Sequence, residues 1–265
     1  DDAADKYTVG IVQQLEHPAL DAATLGFQEK LTELLDGNVT FDYQNAQGEQ
    51  TNCTTIATKF VSDGVDLIMA NATTALQSAA AATADIPIVG TSVTDYVTAG
   101  VVDSNEAPGR NVTGASDLAP IDEQIAMLME LVPDVQKVGI VYCSAEPNSM
   151  YQSKLAQAEL DEANIAWAEY TAADSNEVQS VVTKAVAECD VLYVPTDNTM
   201  ANNTEIIKNV AVPAGVPVIA GEEGICSGCG VATLSISYYD LGVKAAEMAY
   251  EILVNGANPA EMPIE

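Results

Sequence analysis

Basic residues are scarce in this chain. Nine Lys and Arg stand against 39 Asp and Glu in 265 residues, a formal net charge of −30. Duplex nucleic acid is bound through Lys and Arg that displace counterions from phosphates, so that class of partner is excluded. Docking on an anionic bilayer is disfavoured for the same reason. The acidity reads as a solvated surface, adapted to salt at the extreme; a specific basic partner is the competing explanation. No run of 18 apolar residues occurs, so no segment can span a membrane as a helix. Aromatics are only 5% of the chain, with one Trp, and there is one His. Enzyme signatures are missing too. No G-x-S-x-G elbow would serve His17, no G-x-G-x-x-G follows the first strand, and no Walker A lysine is present. Glu222 and Glu223 are adjacent, so on a strand or loop they point apart and make no acid–base pair.

Cysteines number five, which forbids complete internal pairing. Cys226-Ser-Gly-Cys229 has redox or zinc-knuckle spacing. A redox pair sits at a helix start, however, and this one precedes an apparent strand at Gly230. A second C-x-x-C or a partner His for zinc is also missing. A local disulfide or an idle thiol pair is the expectation, with Cys53, Cys143 and Cys189 as small buried hydrophobes. No signal peptide is visible. The polar opening Asp1 to Lys6 reads as a mature or trimmed start.

What the chain does contain is an echo of itself. Val9-Gly-Ile-Val12 and Val138-Gly-Ile-Val141 are each followed, after five residues, by Pro18 and Pro147, an offset of 129 (138 − 9; 147 − 18). Asp66-Leu-Ile-Met-Ala resembles Asp190-Val-Leu-Tyr-Val at an offset of 124, and Ile86-Pro-Ile-Val-Gly resembles Val216-Pro-Val-Ile-Ala at 130. Three ordered matches predict two lobes of one topology.

Buried strands are expected at Tyr7 to Val12, Val39 to Tyr43, Val65 to Ala70, Ile86 to Val89 and Arg110 to Ser116. Helices between them include Thr54 to Ser62 and the Ala-rich Thr73 to Ala84; Pro120 opens another, ended by Pro133. The second series runs Val138 to Tyr142, helix Met150 to Glu162, Ala166 to Tyr170, helix Glu177 to Glu188, Val191 to Pro195, helix Thr204 to Ala214, Val216 to Ala220 and Gly230 to Ser235. A long helix, Tyr238 to Val254, follows. Strands alternating with helices imply α/β lobes with doubly wound parallel sheets. The expected division is residues 1–132 plus 236–255 for the first lobe and 133–235 plus 256–265 for the second, joined by a hinge.

In open α/β sheets ligands bind outside the carboxyl ends of strands, here in a cleft expected between the lobes. The loops there hold Gln14 and His17, Thr73 and Thr74, Thr91, Ser92 and Asp95, Asn148 and Ser149, Asp197 and Asn198, and Glu222 and Glu223. Hydroxyls and amides at helix N-termini suit an anionic group, and carboxylates suit an ammonium. Both together suit an amino acid. Helix capping alone would also explain Thr73, Ser149 and Asn198, and Asp95 and Asp197 could cap or face solvent. His17 could be a surface residue, a pocket wall or, least favoured, a general base.

Several of these loops carry a resemblance. Glu16-His-Pro-Ala-Leu-Asp, Tyr43-Gln-Asn-Ala-Gln-Gly, Val93-Thr-Asp, Asn111-Val-Thr-Gly-Ala-Ser-Asp, Pro147-Asn-Ser, Pro195-Thr-Asp-Asn-Thr and Gly230-Val-Ala-Thr-Leu-Ser-Ile resemble, in order and over essentially the whole chain, ABC transporter substrate-binding proteins of the tryptophan/tyrosine-binding (TrpX-like) group. The resemblance implies a type I periplasmic-binding-protein fold, closure on a small solute and delivery to a membrane permease. It implies no enzyme activity or cofactor, a monomer, and an extracytoplasmic place, as a cell-surface lipoprotein or in a periplasm. It also implies ligand contacts from Thr73, Thr74, Thr91, Ser92, Asp95, Asn148, Ser149, Asp197 and Asn198, with the His17 loop as side-chain wall. Our role assignment goes further: hydroxyls and helix N-termini hold the α-carboxylate, Asp197 or Asp95 holds the α-ammonium, and His17, Leu15 and Tyr142 flank the side chain. Cys226 and Cys229 depart from the group's usual loop. Sugar or nucleoside receptors of the same fold, and a ligand-sensing protein without a transport role, are the alternatives. Sugar and nucleoside sites favour aromatic platforms, whereas Trp167 lies on a predicted strand. A transcriptional regulator of this fold would need a basic DNA-binding segment.

Overall fold

The computed structural model describes residues 6–265; the leader Asp1 to Asp5 lies outside them. The chain divides into two compact units. One runs to Leu118 and resumes at Ser237–Glu265, and the other is Ala119–Ile236.

The first unit contains β1 (Tyr7–Gln13), α1 (Pro18–Leu34), β2 (Val39–Asn45), α2 (Gln50–Asp63), β3 (Leu67–Asn71), α3 (Thr73–Ala82), β4 (Ile88–Val93) and β5 (Val112–Ser116). The second contains α4 (Ile121–Leu131), β6 (Lys137–Cys143), α5 (Pro147–Glu162), β7 (Ala166–Ala172), α6 (Val178–Glu188), β8 (Val191–Val194), α7 (Asn198–Ala201), α8 (Thr204–Ala214), β9 (Val218–Ala220), α9 (Glu223–Cys229) and β10 (Ala232–Thr233). The chain then returns to the first unit as α10 (Tyr238–Leu253). Each unit has one parallel five-stranded sheet, ordered β2-β1-β3-β4-β5 and β7-β6-β8-β9-β10. Matched strand for strand the orders are identical, the repetition that the V-G-I-V echo predicts.

Both faces of each sheet are covered, so the strands are apolar throughout rather than alternating. In the first unit Val9, Ile11, Met69 and Val89 pack on Phe27 and Leu31 of α1 and Ala245 and Ala249 of α10. The opposite face sets Val12, Ile68 and Ile88 against Ala57 and Phe60 of α2 and Leu76 of α3. Gly10 sits over the Phe60 ring, where a Cβ would come within 2.6 Å of ring carbons. The second unit repeats the scheme. Val138, Ile140 and Tyr142 pack on Ile125 and Leu128 of α4 and Leu160 of α5. Val141, Leu192 and Val194 pack on Val178 and Val182 of α6 and Ile207 of α8.

Several expectations are corrected. Residues 121–131 join the second unit, because Ile121, Ile125 and Leu128 bury against Val138 and Ile140. Residues 256–265 belong to the first unit. There the Ser116 N–H donates to the Glu265 carbonyl at 2.6 Å and the Glu265 N–H to Gly114 at 3.1 Å, lengthening the edge beside β5. α2 starts at Gln50, not Thr54, and α5 at Pro147, not Met150, which moves Asn148 and Ser149 into a helical first turn. β4 continues through Thr91 and Ser92, with a register shift between Gly90 and Val93. β10 is two residues rather than six. Cys226 and Cys229 lie on helix α9, and all five cysteines are free thiols.

Candidate ligand-binding faces

In the first unit β1, β3 and β4 end side by side. Gln13 and Asn71, the last residues of β1 and β3, are fully buried and share one network. The Thr24 hydroxyl donates to Gln13 Oε1 at 2.6 Å, and Asn71 Nδ2 donates to Thr24 Oγ1 at 3.0 Å and to the Leu20 carbonyl at 2.8 Å. This network locks the strand ends to α1. Gln14 then reaches across: its Oε1 accepts from the Thr74 N–H at 3.0 Å. That contact supplies a cap α3 otherwise lacks, since its N-cap residue, Ala72, has no side chain to offer.

Four local costs converge here. Ala72 has φ 86° and ψ 162°, a region that favours glycine, and Ser92 has φ 56°. The hydroxyls of Thr91 and Ser92 are buried without a hydrogen-bond partner. Each strained residue costs about 1–3 kcal/mol, as does each unsatisfied buried hydroxyl. Thr73 is 3% exposed and Thr74 is half-buried at the same helix start. His17 is the N-cap residue of α1, 7% exposed, with extended backbone and a carbonyl that accepts from the Asp21 N–H at 3.0 Å. Asp95 is half-buried, and its Oδ1 accepts from the Thr98 N–H at 2.6 Å.

Sequence reasoning missed Asp117, just past β5. It is 2% exposed and accepts from the Tyr238 hydroxyl at 2.8 Å and the Thr94 hydroxyl at 3.1 Å. Burial raises its pKa above the usual carboxylate range.

The second unit offers acceptors instead. Asp197 is 1% exposed and caps α7, with Oδ1 accepting from the Met200 N–H at 2.8 Å. Its Oδ2 accepts from the Cys143 N–H and the Ser149 hydroxyl, both at 2.7 Å. Both oxygens are thus given to the protein, which corrects the assignment of Asp197 as the ammonium holder. Burial, and then the charge of Glu146, push its pKa up to about 8.

Glu146, another residue the sequence reading missed, is 4% exposed beside it. Its Oε1 accepts from the Thr199 N–H and hydroxyl, both at 2.8 Å, and its Oε2 from the Asn198 N–H at 3.0 Å and Nδ2 at 2.8 Å. Gln152 completes the frame, donating to the Thr196 carbonyl at 2.9 Å and accepting from the Thr196 N–H at 3.1 Å. Asn148 is left with its amide oxygen buried and unpartnered.

Tyr142, expected to flank the solute side chain, is engaged within its own unit. It packs among Ile140, Ile125 and Leu160, and its hydroxyl donates to Glu169 at 2.8 Å. Glu223 is exposed on α9, whereas Glu222 is buried and caps that helix, accepting from the Gly224 and Ile225 N–H groups. Among the described residues no group of three or more His, Cys, Asp or Glu is placed to hold a metal ion.

Two covered parallel sheets of identical strand order, each ending in a polar strand-end face, define a type I periplasmic-binding-protein fold. The sequence pattern of the ABC transporter substrate-binding protein family matches residues 8–265, and the chain belongs to that family. It is 40% identical over 266 residues, 99% of this chain and 77% of the relative, to a tyrosine-binding protein of Clostridioides difficile. Among solved structures, an ABC domain from Streptococcus pneumoniae in complex with L-Trp is 32% identical, with a TM-score of 0.95 over 98% of this chain and 88% of that one. A conserved domain protein from Vibrio cholerae is 34% identical, with the same TM-score and coverage.

Proposed function

We propose that this chain is the solute receptor of an ABC importer and that its solute is an aromatic L-amino acid, tryptophan or tyrosine. The observation that carries the amino-acid reading is the pairing of unsatisfied groups: buried hydroxyl donors of Thr91 and Ser92 beside the start of α3, and a buried acceptor, the Asn148 amide oxygen. A helix N-terminus with free hydroxyls suits a carboxylate. An acceptor backed by carboxylates suits an ammonium. A zwitterion uses both. The aromatic reading leans on the relatives, one named for tyrosine and one solved with L-Trp. Thr73, Thr74, Thr91 and Ser92 hold the α-carboxylate, and the His17 loop borders the side chain. Solute binding favours the state that holds it better, and a permease partner reads that state. The receptor works outside the cytoplasmic membrane, where a lipid on an upstream cysteine would tether it.

Thermal unfolding against the twenty amino acids, sugars and nucleosides, followed by calorimetry, tests this. Solute at 100 times its Kd adds about 2.7 kcal/mol, a rise of about 2–4 °C for a chain of this size. The rise is expected with Trp or Tyr. Thr91→Val should weaken binding by about tenfold or more while leaving ligand-free stability unchanged or higher, because the orphaned hydroxyl is gone. A shift confined to sugars or nucleosides would keep the fold and overturn the solute.

A further inference from the structure

We infer that the α-ammonium of the solute is received by the amide oxygen of Asn148, and that Glu146, set behind it, is the residue that positions and strengthens this acceptor. The inference rests on the amino-acid reading above and specifies its second half. Asp197 is ruled out as the direct acceptor by its three protein donors and 1% exposure. Asn148 is constrained in the opposite sense. Its Nδ2 faces the Thr196 carbonyl at 3.2 Å, Glu146 Oε2 at 3.4 Å and Ser149 Oγ at 3.4 Å. Thr196 and Glu146 offer only acceptors there, and the Ser149 hydroxyl already spends its proton on Asp197. Rotating the amide by half a turn would set oxygen against all three, so Oδ1 must point away from the frame. It is buried there with no partner. A buried acceptor left open is costly unless a ligand donor fills it.

Charge agrees with geometry. Asn148 sits in the first turn of α5, and Asn198 and Thr199 open α7. Two helix N-termini would repel a cation. Glu146 is the N-cap residue of α5, and its carboxylate takes the first N–H groups of α7, setting a negative group against that positive end. The Asn148 amide is the link. An N–H polarised toward Glu146 makes the oxygen of the same amide a better acceptor.

Calorimetry with L-Trp and with indole-3-lactate, in which a hydroxyl replaces the ammonium, separates this from a structural role. The parent should prefer L-Trp. Asn148→Leu should cut that preference by about 10- to 100-fold, the range for a hydrogen bond to a charged group. Glu146→Gln should cut the same preference by about tenfold, whatever it does to the absolute affinity for either compound. A loss of framework alone would weaken both compounds equally and leave the ratio intact. Ligand-free unfolding shows whether each variant folds. If Asn148→Leu does not, Asn148→Ser, which is too short to present an oxygen at the same point, should show the same collapse. A preference retained in the folded variants overturns the inference by itself. A parent that binds no amino acid overturns the reading beneath it, and does so before any variant is made.

Discussion

Glu146 reaches Asn198 across 52 positions of sequence, and that distance explains why neither its burial nor its purpose is visible in a linear reading. Hydroxyls and amides could be placed near the ligand from strand-end position alone. Which of them stay unsatisfied depends on partners from other loops. Ser149 satisfies itself inside the protein; Thr91, Ser92 and Asn148 do not. Asp197 also makes a prediction at this scale. Its folded-state pKa is raised, so between the ordinary carboxylate range and about 8 the native protein holds a proton that the unfolded chain has released. That contribution to stability is fully present at acid pH and is lost as pH rises through about 8. Asp197→Asn should flatten the fall of denaturation midpoint with pH across this window. Asp117, raised by burial in the same direction, leaves a residual slope. An unchanged slope in the variant would place the proton elsewhere.

At the scale of elements, long amphipathic helices and apolar strands were legible, because periodicity and the internal echo report burial directly. Boundaries set by tertiary contact were not. β4 runs on through a bulge whose Ser92 has φ 56°, and no local propensity signals that. β10 shrinks to two residues. Residues 121–131 look the same in sequence whichever sheet they pack on, and only their contacts with Val138 and Ile140 decide. α1 and α10 approach closely: Gly26 lies against the Tyr239 carbonyl and Gly242 against the Ala23 carbonyl with no space for a Cβ. Because backbone cannot yield as a flexible side chain can, Gly242→Ala should force the helices apart and cost about 1–3 kcal/mol, read as a lower denaturant midpoint at unchanged slope. A midpoint equal to that of the parent would mean that the two helices slide freely.

Taken whole, the molecule carries a net charge of −30 with few cations to offset it. Ion pairs are exposed, and one cation can serve two carboxylates: Lys59 pairs with Asp63 at 2.8 Å and also with Asp42. Self-repulsion of this size opposes the compact state, and salt screens it with a length of about 10 Å at 0.1 M. Raising NaCl from low millimolar toward 1 M should therefore raise the melting temperature. The association rate of a zwitterion, neutral overall, should hardly change. A strong salt dependence of that rate would point to a charged solute.

The order of the two units along the chain sets a timetable. Residues 119–236 are contiguous and can close as soon as they exist. The first sheet needs α10 against Val9 and Ile11, and needs Glu265 beside Gly114 and Ser116, before it is covered. A chain delivered N-terminus first, from a ribosome or through a membrane pore, must keep the first unit unfinished until residues 237–265 arrive, so the unit that is started first is completed last.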